Sequence, residues 1–191
     1  MKSDIINVSS RKDRTDEVLD ISERVSAYHR LSHKNAIYLR LLAEEMMSLM
    51  RAIAGDVNGK FWIETTGGNA FELHLLVRTK MDSEKRMQLL RTSTSGKNEA
   101  HRGFMGKLRA FFEPVEDMPL LYEAGADDLQ MAVNWSMQAY QNQIRQYVKQ
   151  NRQGAAEAWD ELERSVVAHV ADEVRVRIEG YDAELIVFKT V

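Results

Sequence analysis

With 191 residues, 44% of them hydrophobic and 29% charged, the chain has the make-up of one folded domain, or one domain with an insertion, and not of a disordered segment. A formal net charge of −3 does not favour nucleic acid as a partner, since domains that bind it are usually basic. The absence of cysteine excludes disulfide frameworks, thiolate zinc sites and cysteine nucleophiles together, and fits a reducing cytoplasm.

The opening residues, MKSDIINVSSRKDR, lack the apolar stretch of a secretory signal. Residues 5–8 within them form a short apolar run that reads as a strand. Thr15 or Asp16 then offers an N-cap for a helix over about 16–30, along which Val18, Ile21, Val25 and Tyr28 recur at spacings of three and four. A second helix follows, with Ser32 as its N-cap and Gly55 as its stop. Leu39, Ala43, Met46, Met50 and Ile53 draw one stripe along it. Tyr38, Leu41, Leu42, Glu45 and Leu49 form an adjoining line, so this helix expects cover on more than one side.

Residues 61–65 alternate, Gly67, Gly68 and Asn69 supply turn chemistry, and Phe71, Leu73, Leu75 and Val77 then alternate with Glu72, His74 and Arg78. That pattern predicts a hairpin with one face in a core and the other more polar. Over 80–125 the periodicity is weaker. Asp82 reads as the cap of a short helix through Leu90, TSTSGKNEAHRG is a loop by composition, and residues 104–112 are amphipathic up to Pro114. The stretch 113–128 holds both prolines among acidic residues and reads as a solvated linker.

Leu129, Val133, Met137, Tyr140, Ile144 and Tyr147 predict a long helix ended by Gly154, and Trp159, Leu162, Val166 and Val170 predict another. The uncharged run 129–144 is too rich in Gln, Asn and Ser to cross a bilayer. No membrane partner is expected, and the protein is expected to be soluble and cytoplasmic. Val174, Val176 and Ile178 alternate with Arg175, Arg177 and Glu179, the chain turns at Gly180, Tyr181 and Asp182, and residues 185–188 return it. Two hairpins and a lone strand, with helices for one face, predict an α/β (α+β) two-layer sandwich. Its sheet is expected to be mixed and largely antiparallel, with residues 1–191 forming a single domain that carries a helical insertion at about 80–152.

Glu45 is the first candidate for chemistry. Leu41, Leu42, Ser48 and Leu49 lie one turn either side of it, which sets its carboxylate on an apolar flank of the kind general-base chemistry uses. The plainer alternative is an ion pair with an arginine from elsewhere in the fold. Glu44, by contrast, shares its face with Arg40, Ser48 and Arg51, an ordinary solvated arrangement.

The loop over 92–107 is the second candidate. Ser95, Gly96, Lys97 and Asn98 offer hydroxyl, amide and ammonium donors, and Arg102 and Gly103 lead into a helix start holding Gly106 and Lys107. Glycine permits close backbone approach, and a helix N-terminus favours phosphate. The spacing is not that of a Walker A loop, and a polar surface loop is the alternative. The five histidines show no metal-ligand spacing, and no metal residue is assigned. Arg78, Arg175 and Arg177 could form a basic stripe on the open sheet face, which reads as solvation of a half-exposed surface. The methionines, Tyr140 and Trp159 read as core.

The stretch LRLLAEEMMSLMRAIAG (39–55), followed by FWIETTGGNAFELHLLVRT, resembles the opening of the histidine-kinase-like (GHKL, Bergerat-fold) ATPase domain. It is closest in style to the anti-sigma-factor serine kinases. The element order is similar over about 1–79 and 154–191, with the second helix as the motif-level match. The resemblance implies ATP as ligand, magnesium as its cation, and Glu45 in the place of the family's general base. It also implies phosphate contacts from the lid residues Ser95, Gly96, Lys97, Asn98, Arg102, Gly103, Gly106 and Lys107. Four residues past Glu45 the family keeps a magnesium-binding asparagine; here that position is Leu49, which cannot ligate a cation, with the Ser48 hydroxyl beside it. The family's aspartate-glycine box after the hairpin is absent, since Thr79 ends the strand and Asp82 follows without glycines.

Three readings follow. The chain is a divergent ATP-binding regulatory protein of bacterial signalling, like an anti-sigma factor or the catalytic domain of a sensor kinase, acting as a kinase or ATPase if it is active. Alternatively it is a pseudo-ATPase that serves as a protein-interaction module, with 113–152 as a surface for a protein partner or a homodimer contact. In the third, it is an unrelated α/β enzyme that uses Glu45 and the 92–107 loop on another small molecule.

Overall fold

Alternation of apolar and polar residues builds one six-stranded sheet. Its strands are β1 (Ile6–Ser9), β2 (Asn58–Thr65), β3 (Ala70–Arg78), β4 (Asn134–Ser136), β5 (Glu173–Glu179) and β6 (Asp182–Thr190). They lie in the order β1-β2-β3-β6-β5-β4, and each neighbouring pair is antiparallel. The computed structural model describes residues 1–12, 14–52, 57–78, 134–152, 154–179 and 181–191. Among these are five helices: α1 (Thr15–Tyr28), α2 (His33–Ala52), α3 (Met137–Lys149), α4 (Ala155–Arg164) and α5 (Val166–Val170). The fold is the expected α+β two-layer sandwich, and every described strand pairing in it is antiparallel. Residues 79–133, most of the expected helical insertion, lie outside the described residues.

Because side chains alternate along a strand, the register separates two faces. Phe61, Ile63, Phe71, Leu73, Leu75, Val77, Leu185, Val187, Val174 and Val176 point to the helices and share one core with them. From α2 that core takes Leu39, Leu42, Met46 and Met50, and from α1 it takes Val18, Ile21 and Val25. Each such side chain contributes on the order of 1.5–3 kcal/mol by leaving water. No described helix covers the opposite face.

Two glycine positions shape the β2–β3 hairpin. Gly67 and Gly68 have φ of 78° and 64°, the left-handed region in which glycine alone is unstrained. At Gly59 a Cβ would stand 2.6 Å from the Leu76 carbonyl oxygen, so the close approach of β3 to β2 needs the missing side chain.

Several elements differ from the sequence expectation for local physical reasons. The residue before α1 is Arg14, which makes no side-chain cap bond. Its Nε instead donates to Glu17 at 2.7 Å and its Nη1 to the Asn7 carbonyl at 3.0 Å. Tyr28, expected on the apolar stripe, is the last residue of α1 and is 71% exposed. Ser32 does cap α2, its Oγ accepting from the Asn35 amide at 3.3 Å. The expected stop at Gly55 lies outside the described residues.

The helix expected from about 129 starts only at Met137. Residues 134–136 pair with β5 instead, and the Ser136 hydroxyl caps the helix from the Ala139 amide at 3.2 Å. The single helix expected through Val170 is two. Ser165 takes an extended backbone (φ −74°, ψ 124°), ends α4 and caps α5.

Candidate functional site

α2 lies between α1 and α5 over the sheet, and its two flanks differ. The flank toward α1 is fastened: Arg40 pairs with Glu23 and Arg51 donates to Thr15, both partners on α1. Arg51 also donates from Nη2 to the Ser48 Oγ at 2.9 Å. At 100° per residue, Glu45 stands about 140° around the helix from Arg40 and about 120° from Arg51. It is therefore turned away from α1. Its side chain is half-buried, and no described residue makes a hydrogen bond or ion pair with its carboxylate. An ion pair to an arginine, the plainer expectation for Glu45, is not found among the described residues.

The neighbours of Glu45 along its own flank are apolar. Leu42 and Leu49 are core residues at 0% and 3% exposure. Two turns toward the N-terminus, the Tyr38 ring receives the Lys34 ammonium at 5.5 Å and the Lys189 ammonium at 5.4 Å. Lys189 also pairs with Asp172 at 2.8 Å, and the Thr190 amide donates to the other Asp172 oxygen at 2.6 Å. Burial works against ionisation of Asp172, but the ammonium and the amide outweigh it, and the carboxyl is held below its ordinary value.

The structure thus separates the sequence candidates. Glu45 lies half-buried on α2, between the core residues Leu42 and Leu49. Ser48, its neighbour in the motif, turns its hydroxyl to Arg51. Ser95, Gly96, Lys97, Asn98, Arg102, Gly103, Gly106 and Lys107 lie outside the described residues. No protein-family model, curated protein or solved structure matches this chain. Among the described residues there is no group of three or more His, Asp or Glu side chains able to hold a metal, and no helix long and apolar enough to cross a membrane.

One cluster was missed by sequence reasoning. On the sheet face that no described helix covers, the Trp62 and His74 rings stack with centroids 4.7 Å apart and planes 5° from parallel. His74 Nδ1 lies 2.9 Å from Glu184 Oε1, and its Nε2, shut off from water without a hydrogen bond, lies 3.5 Å from Glu72 Oε2. The Trp62 Nε1 donates to Glu64 at 2.7 Å, and Lys2 caps the far side, 4.4 Å from the Trp62 ring and 3.0 Å from Glu64. Hydrogen bonds from Lys2 and Trp62 hold the Glu64 carboxyl below its ordinary value.

With His74 7% exposed and its ring closed in, this cluster fastens the segment before β1, through Lys2, to β2, β3 and β6. The hairpin signal could place His74 on the polar face, but the partners come from the β3–β6 register, which no local pattern prints. Arg78, Arg175 and Arg177, read from the sequence as solvation of a half-exposed surface, are exposed on this same face. Arg175 lies over the Phe188 ring at 4.7 Å, Arg177 stands opposite Glu184, and Arg78 stands opposite Asp182.

Proposed function

We propose that this chain is a divergent ATP-binding regulatory protein of bacterial signalling, built on the scaffold of the histidine-kinase-like ATPases. In this reading ATP lies along the Glu45 flank of α2. Its phosphates are held by Ser95, Gly96, Lys97, Asn98, Arg102, Gly103, Gly106 and Lys107. The observation that carries the reading is the Glu45 carboxylate, half-buried on an apolar flank and without a described partner. A carboxylate that no described residue pairs with, placed where water is partly excluded, suits a ligand site. The two-layer α+β architecture, with α2 on the covered face, supports the same reading at the level of fold, which is analogy.

Thermal denaturation with and without nucleotide tests it. ATP at about ten times its Kd stabilises the folded state by roughly 1.4 kcal/mol, or about 3–6 °C at this chain length. Glu45→Ala and Lys97→Ala each reduce that shift at fixed ATP. No shift at millimolar ATP or ADP sinks the nucleotide reading.

A second reading is favoured by the burial of Leu49 at 3% exposure. In it the scaffold is a pseudo-ATPase that binds a protein partner or a second copy of itself, and phosphotransfer has been lost. A nucleotide-dependent shift together with measurable ADP release excludes that reading.

A further inference from the structure

We infer that the sheet face turned from the helices carries a proton-binding site, in which His74 is held as an imidazolium between Glu72 and Glu184 and against the Trp62 ring. The site goes beyond the nucleotide reading and does not rest on it, and every group in it is a described residue. A neutral imidazole has one N–H and one bare nitrogen, whereas the imidazolium donates from both. In this cluster both nitrogens face carboxylate oxygens, Nδ1 at 2.9 Å from Glu184 Oε1 and Nε2 at 3.5 Å from Glu72 Oε2. A single proton, on either nitrogen, sets the lone pair of the other toward an acceptor. Nε2 is closed off from water, so no solvent molecule relieves that contact. A second proton turns it into a charge-assisted donor and acceptor pair.

The surroundings favour the cation. Glu72 is aimed at the ring: its Oε1 accepts from the Thr66 hydroxyl at 3.2 Å, which leaves Oε2 to Nε2. Glu64 on β2, Glu72 on β3 and Glu184 on β6 bring three carboxylates to the cluster. Against them Lys2 brings one ammonium, 3.0 Å from Glu64 Oε1 and 4.4 Å from the Trp62 ring. Lys60 stands opposite Leu76 and Arg177 opposite Glu184, but both are exposed, and water screens them. Arg175, opposite Ile186, lies over the Phe188 ring. The Trp62 and His74 planes are 5° from parallel with centroids 4.7 Å apart, so a charged imidazole rests on the negative face of the indole.

The proton is thus part of the tie between β3 and β6. Once it leaves, the ring keeps one of its two donors, and Glu72 and Glu184 lose the positive charge that stands between them. The same loss removes the cation from the Trp62 face, so the state of the site can be read optically.

Two readouts on the full-length protein test this as a function of pH. Nitrogen-15 NMR of the imidazoles shows which ring nitrogens carry protons, with His74 assigned by its loss in His74→Gln. Trp62 emission, assigned by its loss in Trp62→Phe, reports the ring charge, because a stacked imidazolium quenches an indole. The expected result is one transition from imidazolium to neutral ring as the pH rises, with a parallel rise in Trp62 emission. Glu72→Gln keeps the size of the side chain and offers Nε2 an amide donor, so the second proton is no longer needed. It is expected to weaken proton binding roughly tenfold, which moves the transition to lower pH by about one unit. A transition that Glu72→Gln leaves in place or moves to higher pH overturns the inference. A His74 ring with a single protonated nitrogen over the whole pH range in which the chain is folded overturns it too. Should Glu72→Gln not fold, Glu184→Gln removes the other carboxylate and is expected to move the transition in the same direction; an unmoved transition there is equally decisive against the site.

Discussion

On the flank of α2 that meets α1, the charged side chains reach across to partners: Arg40 to Glu23, and Arg51 to Thr15 and to Ser48. On the flank turned from α1, Glu45 sits among leucines and meets no described partner. The first arrangement fastens two helices. The second adds nothing to folding that the described residues reveal, and a leucine would fit the same surroundings with less desolvation cost. Local choices that disagree with the fold around them are where function is to be sought.

The largest effect comes from the seam between the two flanks. Leu42 is fully buried among the residues that join α2 to the sheet. Leu42→Ala is expected to cost about 2–5 kcal/mol, as buried leucines generally do. The midpoint of denaturant unfolding measures it. A loss below about 1 kcal/mol would mean that α2 is not packed on the sheet, and the contrast between its flanks would lose its basis.

A direct comparison of the flanks is smaller in size and opposite in sign. Arg51→Ala removes bonds to Thr15 and Ser48 and is expected to cost roughly 1 kcal/mol. Glu45→Leu is expected to be neutral or to stabilise by up to about 1 kcal/mol, the usual gain where a functional polar group is replaced by one that packs. Equilibrium unfolding of the two variants side by side decides it. If Glu45→Leu costs as much as Arg51→Ala, then Glu45 has a structural task and the ligand reading loses its support.

Much of this contrast was legible in the sequence, and what was not has definite causes. The periodicity of Leu39, Ala43, Met46 and Met50 marked the covered side of α2, and Ser32 marked its start, because both signals are local. Alternation in β3 and β5 was equally plain. The spacing of Val133 and Met137 carries a helix through 134–136, where only Trp135 is apolar; pairing with the edge of β5 decides for strand, and that neighbour is some forty residues away in the chain. Ser165 interrupts a pattern whose apolar spacing continues through it, so only the capping bond reveals the break. His74 and Glu184 are 110 residues apart, and their contact depends on one register among several. Glu45 could be located from its helix, yet whether an arginine reaches it is a question about the whole fold.

The smallest effect tests the opposite case, carboxylates whose charge the fold does use. Glu64 is held ionised by hydrogen bonds from Lys2 and Trp62, and Asp172 by Lys189 and Thr190 against the opposing effect of burial. Both carboxyls are lowered, so the unfolded chain takes up protons more readily than the folded one as the medium turns acid. Their contribution is complete above the ordinary values of 4.5 for Glu64 and 3.8 for Asp172. It is lost as the pH falls through the lowered folded values. Lys2→Ala removes the ammonium that does most to hold the Glu64 carboxyl ionised, and should flatten the acid limb of the stability curve just below pH 4.5. The Asp172 part, further down the limb, should remain. Lys2 and Glu64 are partly exposed, so the loss at neutral pH should stay below about 1 kcal/mol. An acid limb unchanged by Lys2→Ala would assign the effect to the Trp62 indole N–H, and the cluster on the open sheet face would then be fastened from β2 and not from the segment before β1.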